Sequence, residues 1–283
     1  MHVLVAGCGW LGLEIARRLL ARGDVVTGVR RDPARAAALA EAGVAPLALD
    51  LAAPGAERAL PRVDAVVACQ AAAGEGEPAY RAAYLDALSS LLAVAARDGA
   101  RLVYTGSTGV FGQQGGEALD ERAPPSPASR TGELLAEAEA RLLASAGQGV
   151  AASLLRLSGL YGPGRAGLLE RVRTGRLALG PGDEAFMNFC HRDDAAAFAL
   201  AALARGAPGG VYHGSDAAPA RRREVVRWVA ARLGIAPPSL ASGGTPPGAP
   251  GPNRRISSEW TREALGLTLA YPTFRDGFGA LLP

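Results

Sequence analysis

Short apolar runs alternate along the chain with longer segments in which apolar residues recur at helical spacing. Runs rich in β-branched residues predict strands, and the spacing of the segments between them predicts helices. The strands are apolar on both faces, which indicates a parallel sheet covered by helices on both sides. The predicted strands are 2–6, 25–30, 45–50, 64–69, 101–107 and 151–158, and the longest predicted helices are 78–98 and 128–146.

The alternation loosens after the last of these strands. Gly and Pro accumulate at 159–167 and at 180–182, and the stretch 242–253 reads SGGTPPGAPGPN. This density of Gly and Pro excludes a helix or strand interior, because proline removes a backbone donor and glycine weakens both elements. We expect 242–253 to be either a mobile loop over a second lobe or a plain surface linker.

The predicted fold class is α/β, with a doubly wound parallel sheet of the Rossmann type and a smaller C-terminal lobe. Residues 1–160 are expected to form the nucleotide-binding domain, to which strand and helix segments near 186–215 return. Residues 161–283 are expected to form mainly the substrate-binding lobe. A chain of 283 residues is long enough to bury a full core in this arrangement.

Composition and charge narrow the function classes. Hydrophobic residues make up 49% and charged residues 20% of the chain, as in a globular protein. The formal net charge is only +3 and the arginines are scattered, so no nucleic-acid partner is expected. The sequence contains neither an apolar run of membrane-spanning length nor a signal-peptide pattern, and its cysteines are widely spaced. These features predict a cytoplasmic protein without a membrane partner, a disulfide or a metal site.

A glycine-rich turn joins the first predicted strand to the first helix. Its sequence, GCGWLG, has the spacing GxGxxG. Glycine permits a tight turn and lets the backbone approach a pyrophosphate, whose charge is stabilised by free N–H groups at the helix N-terminus. The position between a strand and a helix makes the pattern specific, and a tight turn without a ligand is the alternative. The predicted cofactor-binding residues of the turn are Gly7, Gly9, Trp10, Leu11 and Gly12.

The end of the second strand carries the residues that distinguish NADP from NAD. An NAD site has an acidic residue there for the adenosine ribose, whereas this chain has Arg30 and Arg31 before Asp32. Guanidinium groups pair with phosphate oxygens bidentately, which suits the 2′-phosphate of NADP. NADP(H) is therefore favoured over NAD(H). Asp32 opposes this preference unless its side chain caps the following helix.

Further cofactor contacts are expected where the third and fourth strands end. Asp50 and Leu51 follow the third strand and are predicted to frame the adenine. Ala71 and Ala72 follow the fourth strand, where small side chains let a cofactor pass close to the backbone. Ordinary loop packing explains either pair equally well.

Taken together, these stretches resemble the extended short-chain dehydrogenase/reductase family, which includes NAD(P)-dependent nucleotide-sugar epimerases and dehydratases. The resemblance covers nearly the whole chain and implies a dinucleotide-dependent activity on a small molecule. It is carried by VAGCGWLG, YTGSTGVFG (104–112), LRLSGLYGPGR (155–165), NFCHRDDAAAFALAAL (188–203), VYHGSD (211–216) and the C-terminal ALGLTLAYPTFRDGF.

The resemblance fails at the catalytic residues. Members of this family use Ser or Thr at the end of the fifth strand, together with a Tyr and, four residues later, a Lys. Ser107, with Thr108 beside it, matches the first of these, and both are predicted to be catalytic. All 30 basic residues are arginines, so the lysine is missing from every alignment. The Tyr and Lys positions hold Thr131 with Leu135, or Ser129 with Glu133 in a shifted register. Neither pair can supply this acid/base chemistry.

Another side chain could take over the role of the missing tyrosine. The tyrosine candidates are Tyr80, Tyr84, Tyr104 and Tyr161. A structural role is expected for Tyr161, and His191 is expected to be a hydrogen-bonded structural histidine. Arg130 and Arg156 are candidates for binding an anionic substrate, although solvated arginines are the favoured interpretation.

The sequence leaves two function classes in the foreground, and a structural or assembly protein that kept the fold and lost the nucleotide is the least favoured third. The favoured prediction is an NADP(H)-dependent oxidoreductase or nucleotide-sugar epimerase/dehydratase-like protein with a degenerate catalytic site. The alternative is a non-catalytic NADP(H)-binding sensor or regulatory module. The substrate is a small molecule that the sequence does not identify. The helices 78–98 and 128–146 resemble the pair through which relatives dimerise, so a homodimer is a further prediction.

Overall fold

The fold is described by a computed structural model over residues 1–177, 179–180, 183–239 and 252–282. The strands in these residues are β1 (His2–Ala6), β2 (Val25–Arg30), β3 (Ala45–Ala48), β4 (Ala65–Ala68), β5 (Arg101–Ser107), β6 (Glu117–Leu119), β7 (Ala152–Leu157), β8 (Gly159–Tyr161), β9 (Phe186–Met187), β10 (Phe189–His191), β11 (Val211–Gly214), β12 (Ala220–Arg221) and β13 (Arg254–Ile256). The α-helices are α1 (Trp10–Ala21), α2 (Pro33–Ala37), α3 (Glu77–Tyr80), α4 (Ala87–Asp98), α5 (Arg130–Gly147), α6 (Gly167–Arg173), α7 (Arg192–Arg205), α8 (Arg222–Arg232), α9 (Glu259–Ala264) and α10 (Phe274–Gly279).

Seven parallel strands form the central sheet, in the order β11-β7-β5-β4-β1-β2-β3. Every neighbouring pair in this sheet runs parallel. The order reverses between β1 and β4, so the loops after these two strands diverge to opposite halves of the sheet and leave a crevice between them. The predicted α/β class with a doubly wound parallel sheet is confirmed.

The predicted elements of the nucleotide-binding half agree closely with the structure. The first, second and fifth strands have the predicted bounds, and the third and fourth are one or two residues shorter at their ends. The predicted helix 78–98 is one continuous helical segment, but a π-helical stretch (Arg81–Asp86) joins α3 to α4. Such wide turns are rare and are frequently found at functional sites.

Helices cover the sheet on both faces, as the two-sided apolar pattern of its strands requires. On one face α1 and α7 bury an apolar cluster that includes Ile15, Leu19 and Phe198. On the other face α4 and α5 bury a cluster that includes Leu88 and Leu142. Burial on both faces explains why alternation of polar and apolar residues is absent from β1 and β4.

A second apolar core lies outside the sheet and belongs to the C-terminal part of the chain. Its buried residues include Leu169 and Val172 of α6, Val225 and Val229 of α8, and Phe278 of α10. The chain passes between this core and the sheet four times within the described residues. The passages lie at 157–161, 189–190, 212–220 and 265–274.

Two segments of the C-terminal half lie with or beside the central sheet and not in the second apolar core. Residues 192–214 return to the sheet as α7 and β11, where a strand and a helix return is predicted. β13 pairs with β6 beside the sheet and not with the second core. The Gly/Pro-rich stretch 242–253 lies outside the described residues except for its last two positions.

A buried ion pair ties α5 to the sheet. The Nη2 atom of Arg156 on β7 lies 2.9 Å from a carboxylate oxygen of Glu139, and the two side chains are only 3% and 2% exposed. The Nε–H of Arg156 is 3.2 Å from both carboxylate oxygens, and its Nη1 donates to the carbonyl of Ala123. Burial raises the pKa of the Glu139 carboxyl, and the hydrogen bonds and positive charge of Arg156 offset only part of this rise. Arg156 is therefore neither a solvated arginine nor free to bind an anionic substrate.

Removing one partner of this pair should be strongly destabilising. Glu139→Ala leaves the Arg156 guanidinium buried without a counter-charge, so we expect the free energy of unfolding to fall by about 3–5 kcal/mol. The matched control is Glu137→Ala on the same helix, because Glu137 pairs with Arg141 at the surface, where a pair contributes at most about 1 kcal/mol. Urea denaturation followed by circular dichroism measures both. Equal destabilisation by the two variants would contradict the assignment.

Candidate active site

A large cleft in the described part of the chain lies at the carboxyl ends of the sheet strands, over the point where the strand order reverses. Its volume is about 840 Å³, within the range of small-molecule and cofactor sites. Twelve of the thirteen site residues predicted from the sequence line it, and Gly12 is the exception. The twelve are Gly7, Gly9, Trp10, Leu11, Arg30, Arg31, Asp50, Leu51, Ala71, Ala72, Ser107 and Thr108.

The three glycines of the β1–α1 turn meet different requirements. Gly7 has φ +74°, and a Cβ at this position would lie 2.4 Å from the Cα of Gln70. A Cβ on Gly12 would lie 2.7 Å from the carbonyl oxygen of Gly7, so Gly12 serves the packing of α1 and not the cleft. A Cβ on Gly9 would have no protein atom closer than 3.8 Å. The fold therefore requires Gly7 and Gly12, whereas Gly9 leaves open space for a ligand at the helix N-terminus.

Three guanidinium groups surround the cleft beyond the end of β2. Arg30 and Arg31 were predicted there, and Arg35 on α2 joins them. Within the described residues no carboxylate lies at ion-pair distance from any of the three. The carboxylate of Asp32 accepts a hydrogen bond of 2.7 Å from the backbone N–H of Arg35 and caps α2. This edge of the cleft therefore has an excess of positive charge, which suits an anionic ligand.

The loops after β3 and β4 form the wall on either side of this edge. The backbone N–H of Ala52 donates to the carboxylate of Asp50 (3.1 Å), and the carbonyl of Leu51 accepts from Ser90 (3.0 Å). These bonds hold the loop after β3 in place. Ala71 and Ala72 contribute only small side chains, so the ligand can lie close to the backbone after β4.

Ser107 and Thr108 lie at the opposite end of the cleft and differ in their hydrogen bonds. The backbone N–H of Gly109 donates to Ser107 Oγ (3.0 Å), which leaves the hydroxyl proton of Ser107 free to donate to a ligand. Thr108 is buried, and its hydroxyl donates to the carbonyl of Leu157 (3.4 Å). Ser107 is therefore the hydroxyl that can act on a substrate, while Thr108 is held by the backbone.

The positions at which the sequence resemblance places the Tyr and Lys lie at the start of α5, and none of them lines the cleft. Ser129 caps this helix by accepting from the backbone N–H of Gly132 (3.1 Å), and its hydroxyl lies 3.2 Å from that of Thr131. Glu133 pairs at the surface with Arg130. Leu135 is buried in a small apolar cluster with Val110 and Phe111. No acid/base group reaches the cleft from these positions.

Among the tyrosine candidates only Tyr84 lines this cleft. It lies in the π-helical stretch between α3 and α4, and burial raises the pKa of its phenol, to which the neighbouring Tyr80 adds. Tyr84 therefore keeps its proton at neutral pH. Tyr104 is buried inside the sheet layer, and Tyr161 is buried in the core of the second lobe, as predicted for a structural residue.

Two other sequence candidates have structural partners. His191 is 1% exposed, and its Nδ1 accepts from the backbone N–H of Asp193 (3.2 Å). Burial lowers its pKa, so the ring is neutral. The Arg130 guanidinium pairs with Glu77 (2.7 Å) and Glu133 (2.8 Å) and does not line the cleft. Arg130 is therefore a solvent-exposed arginine, as the favoured interpretation of the sequence has it, and does not offer an anion site in this cleft.

Sequence reasoning missed several polar residues that line the cleft. Buried side-chain atoms without a hydrogen-bond partner occur on three of them: the amide of Gln70, the hydroxyl of Ser158 and the Nε of Arg254. Buried polar groups are almost always paired, so these atoms are available to a polar ligand in the cleft. Ser158 could have been found by its position at the end of the predicted strand 151–158, but the remote Arg254 has no such signal. Arg165 also lines the cleft, with its guanidinium 5.3 Å from the ring of Trp10.

The described residues contain no group of three or more His, Cys, Asp or Glu side chains placed to hold a metal ion. All three cysteines are free thiols. Among the helices that the structure describes, none combines the length and the apolar character needed to cross a membrane.

Comparison with known proteins identifies similar chains. The family model described as the NAD dependent epimerase/dehydratase family matches residues 3–213. A 3-diazoavenalumate denitrifying reductase from a Streptomyces species is 33% identical over 307 residues, which cover 99% of both chains.

Solved structures of similar proteins share the fold of this chain over nearly its whole length. A protein of Methylobacillus flagellatus, provisionally assigned as an NAD-dependent epimerase/dehydratase, has a TM-score of 0.77 and 34% identity, covering 99% of this chain and 97% of that one. The UDP-glucose 4-epimerase of Thermus thermophilus, solved in complex with NAD, has a TM-score of 0.80 and 25% identity, covering 98% and 96%.

Because the fold requires a glycine at position 12 but not at position 9, substitutions at these two positions test whether a dinucleotide binds at this turn. Gly9→Ala should leave the folded state nearly unchanged but weaken dinucleotide binding at least tenfold, because its Cβ would enter only the space in front of the turn. Gly12→Ala should lower the melting temperature more than Gly9→Ala, because its Cβ would contact the Gly7 carbonyl. Calorimetric titration with NADPH and thermal denaturation measure the two effects. Undiminished binding by Gly9→Ala would show that the dinucleotide does not approach this turn.

Proposed function

Because the chain belongs to the NAD dependent epimerase/dehydratase family, we propose that it is an NADP(H)-dependent reductase whose substrate accepts a hydride without a proton from the protein. The observation that carries this proposal is the reactive end of the cleft. Ser107 offers a free hydroxyl proton there, and the acid/base pair of the family has no counterpart on α5.

The residues of the cleft fit a nicotinamide dinucleotide. Open space at Gly9, next to the N-terminus of α1, suits a diphosphate. Leu51 and the small residues Ala71 and Ala72 suit an adenosine that lies close to the backbone. When bound, this cofactor supplies a hydride.

The preference for NADP(H) over NAD(H) rests on charge. The guanidinium groups of Arg30, Arg31 and Arg35 lack a carboxylate partner among the described residues, and a 2′-phosphate would neutralise them. Asp32, which could have bound a ribose hydroxyl, uses its carboxylate to cap α2. Because the Asp32 carboxylate caps α2, the guanidinium groups of Arg30 and Arg31 are free to bind the 2′-phosphate.

The chemistry is limited by which protons the protein can move. Reduction of a ketone leaves an alkoxide that must be protonated, and sugar epimerases must remove a hydroxyl proton before oxidation. Both steps rely on general acid/base catalysis, which contributes about 10²–10⁴ in rate. A substrate that is already a strong electrophile needs only the hydride and correct positioning. The absence of lysine from the chain therefore favours such a substrate.

The Streptomyces relative suggests a substrate class. Its name describes a reductase that removes nitrogen from a diazo compound. For an aryl diazonium ion, a hydride replaces dinitrogen on the aromatic carbon: a C–H bond forms, the C–N bond breaks and N₂ leaves. The protein neither gives nor takes a proton in this reaction. We infer that Ser107 orients the substrate by donating a hydrogen bond to an oxygen atom near the reacting group.

The reaction is tested with 2-hydroxybenzenediazonium as a probe. We expect protein-dependent oxidation of NADPH with one phenol released per NADP⁺, after subtraction of the reaction without protein. A panel of aldehydes and ketones should give at least a hundredfold lower rates. Tight NADPH binding without turnover of the diazonium ion or of any carbonyl compound would overturn the reductase proposal in favour of a non-catalytic NADP(H) sensor.

The cofactor preference is tested by replacing the two predicted arginines. We expect wild-type protein to bind NADPH more tightly than NADH, as measured by quenching of tryptophan emission, since Trp10 lies in the cleft. Arg30→Ser combined with Arg31→Ser should weaken NADPH binding at least tenfold and leave NADH binding within about twofold. Arg17→Ser removes a charge from the exposed face of α1 and serves as the control. Equal losses for both cofactors would contradict a role in 2′-phosphate recognition.

The role of Tyr84 separates the two possible mechanisms. If the substrate needs no proton, Tyr84→Phe should keep kcat for the diazonium probe within about threefold of the wild-type value, whereas loss of a general acid lowers kcat by about 10²–10⁴. Stopped-flow measurement of NADPH oxidation gives kcat for both proteins, and unchanged NADPH affinity shows that the variant is intact. A hundredfold loss would identify Tyr84 as the proton donor in place of the missing tyrosine.

A further inference from the structure

A buried cation lies at the reactive end of the cleft and takes no part in the chemistry proposed above. Arg254, on β13, is 8% exposed and lines the cleft with Ser107 and Thr108. Its Nη2 donates a hydrogen bond of 2.6 Å to the carbonyl of Thr108, and its Nε has no partner. A guanidinium has five N–H donors, so most of them are available to a ligand.

The backbone around Arg254 is held from both sides by one amide side chain. Asn188 Nδ2 donates to the carbonyl of Arg254 (2.9 Å), and Asn188 Oδ1 accepts from the N–H of Ile256 (2.8 Å). β13 is further fixed by its pairing with β6. Arg254 is thus pre-organised, which lowers the entropy cost of holding a ligand.

The charge of Arg254 lacks a partner within the protein. No carboxylate lies within ion-pair distance of its guanidinium in the described part of the chain. Glu117 is its register partner on β6, but the Glu117 carboxylate accepts from the backbone N–H of Gly115 (3.0 Å). Burial lowers the pKa of Arg254, as expected for a desolvated charge without a counter-ion. A buried charge is costly unless it is paired, so a ligand should supply the missing anion.

We propose that Arg254 binds a carboxylate of the substrate and that the protein acts on aromatic acids. This proposal rests on the proposed function in two respects: the substrate has an aromatic ring, and the Ser107 end of the cleft is the reactive end. One carboxylate matches the single charge and the planar donor fork of one guanidinium. The other unpaired guanidiniums near the cofactor edge are used by the 2′-phosphate, so the two anion sites serve different partners.

The test uses binding and not turnover, so that it can fail independently of the reductase proposal. Protein saturated with NADP⁺ is titrated calorimetrically with 4-hydroxycinnamate and with its neutral amide, 4-hydroxycinnamamide. We expect wild-type protein to bind the carboxylate at least tenfold more tightly than the amide. Arg254→Gln should abolish this difference, and Arg254→Lys should retain only part of it because the planar fork is lost.

The matched control is Arg255→Gln on the same strand. Its guanidinium is exposed and donates to the carbonyl of Gly116 (3.0 Å), so this variant should keep the wild-type preference. Circular dichroism shows whether each variant is folded, and NADP⁺ affinity shows whether its cofactor site is intact. The proposal is overturned if wild-type protein does not distinguish the carboxylate from the amide, or if Arg254→Gln and Arg255→Gln behave alike. A loss of NADP⁺ binding in both folded Arg254 variants would instead assign this residue to the cofactor.

Discussion

The close approach of the turn after β1 to the start of the loop after β4 is the constraint on which the rest of the structure depends. Only a residue without a side chain fits at Gly7, because a Cβ there would overlap the backbone of Gln70. This contact brings the two loops together at the reversal of strand order. It thereby creates one wall of the cleft and directs the N-terminus of α1 into it.

The arginine side chains in and near the cleft differ in whether a carboxylate of the protein balances their charge. Arg156 is buried and paired within the protein, and it holds α5 against the sheet. Arg30 and Arg31 at one end, and Arg254 at the other, lack a carboxylate among the described residues and line the cleft. In a chain without lysine, arginine therefore occurs both as a buried charge paired within the protein and as a cleft-lining charge without a carboxylate partner among the described residues.

The sequence predicted the sheet, and it predicted most of the residues that line one end of the cleft, because both depend on local patterns. Two-sided apolar strands, GxGxxG and the residues after each strand are contiguous in the chain, and twelve of the thirteen predicted residues line the cleft. Gly12 was assigned to the ligand although its role is packing. Arg254 and the burial of Arg156 were missed because both depend on contacts between residues far apart in sequence. The π-helical turn at Tyr84 was also missed, since helical spacing does not distinguish it from an α-helix.

The four passages of the chain between the sheet and the second core have a mechanical consequence. Hinge motion is easiest where a few residues absorb the change in backbone angles. Here four separate connections would have to bend together, and the indole N–H of Trp10 adds a cross-link by donating to the carbonyl of Pro163 (2.7 Å). Any movement of the second core relative to the sheet would therefore have to change the backbone at all of these connections, so the width of the cleft depends on them together.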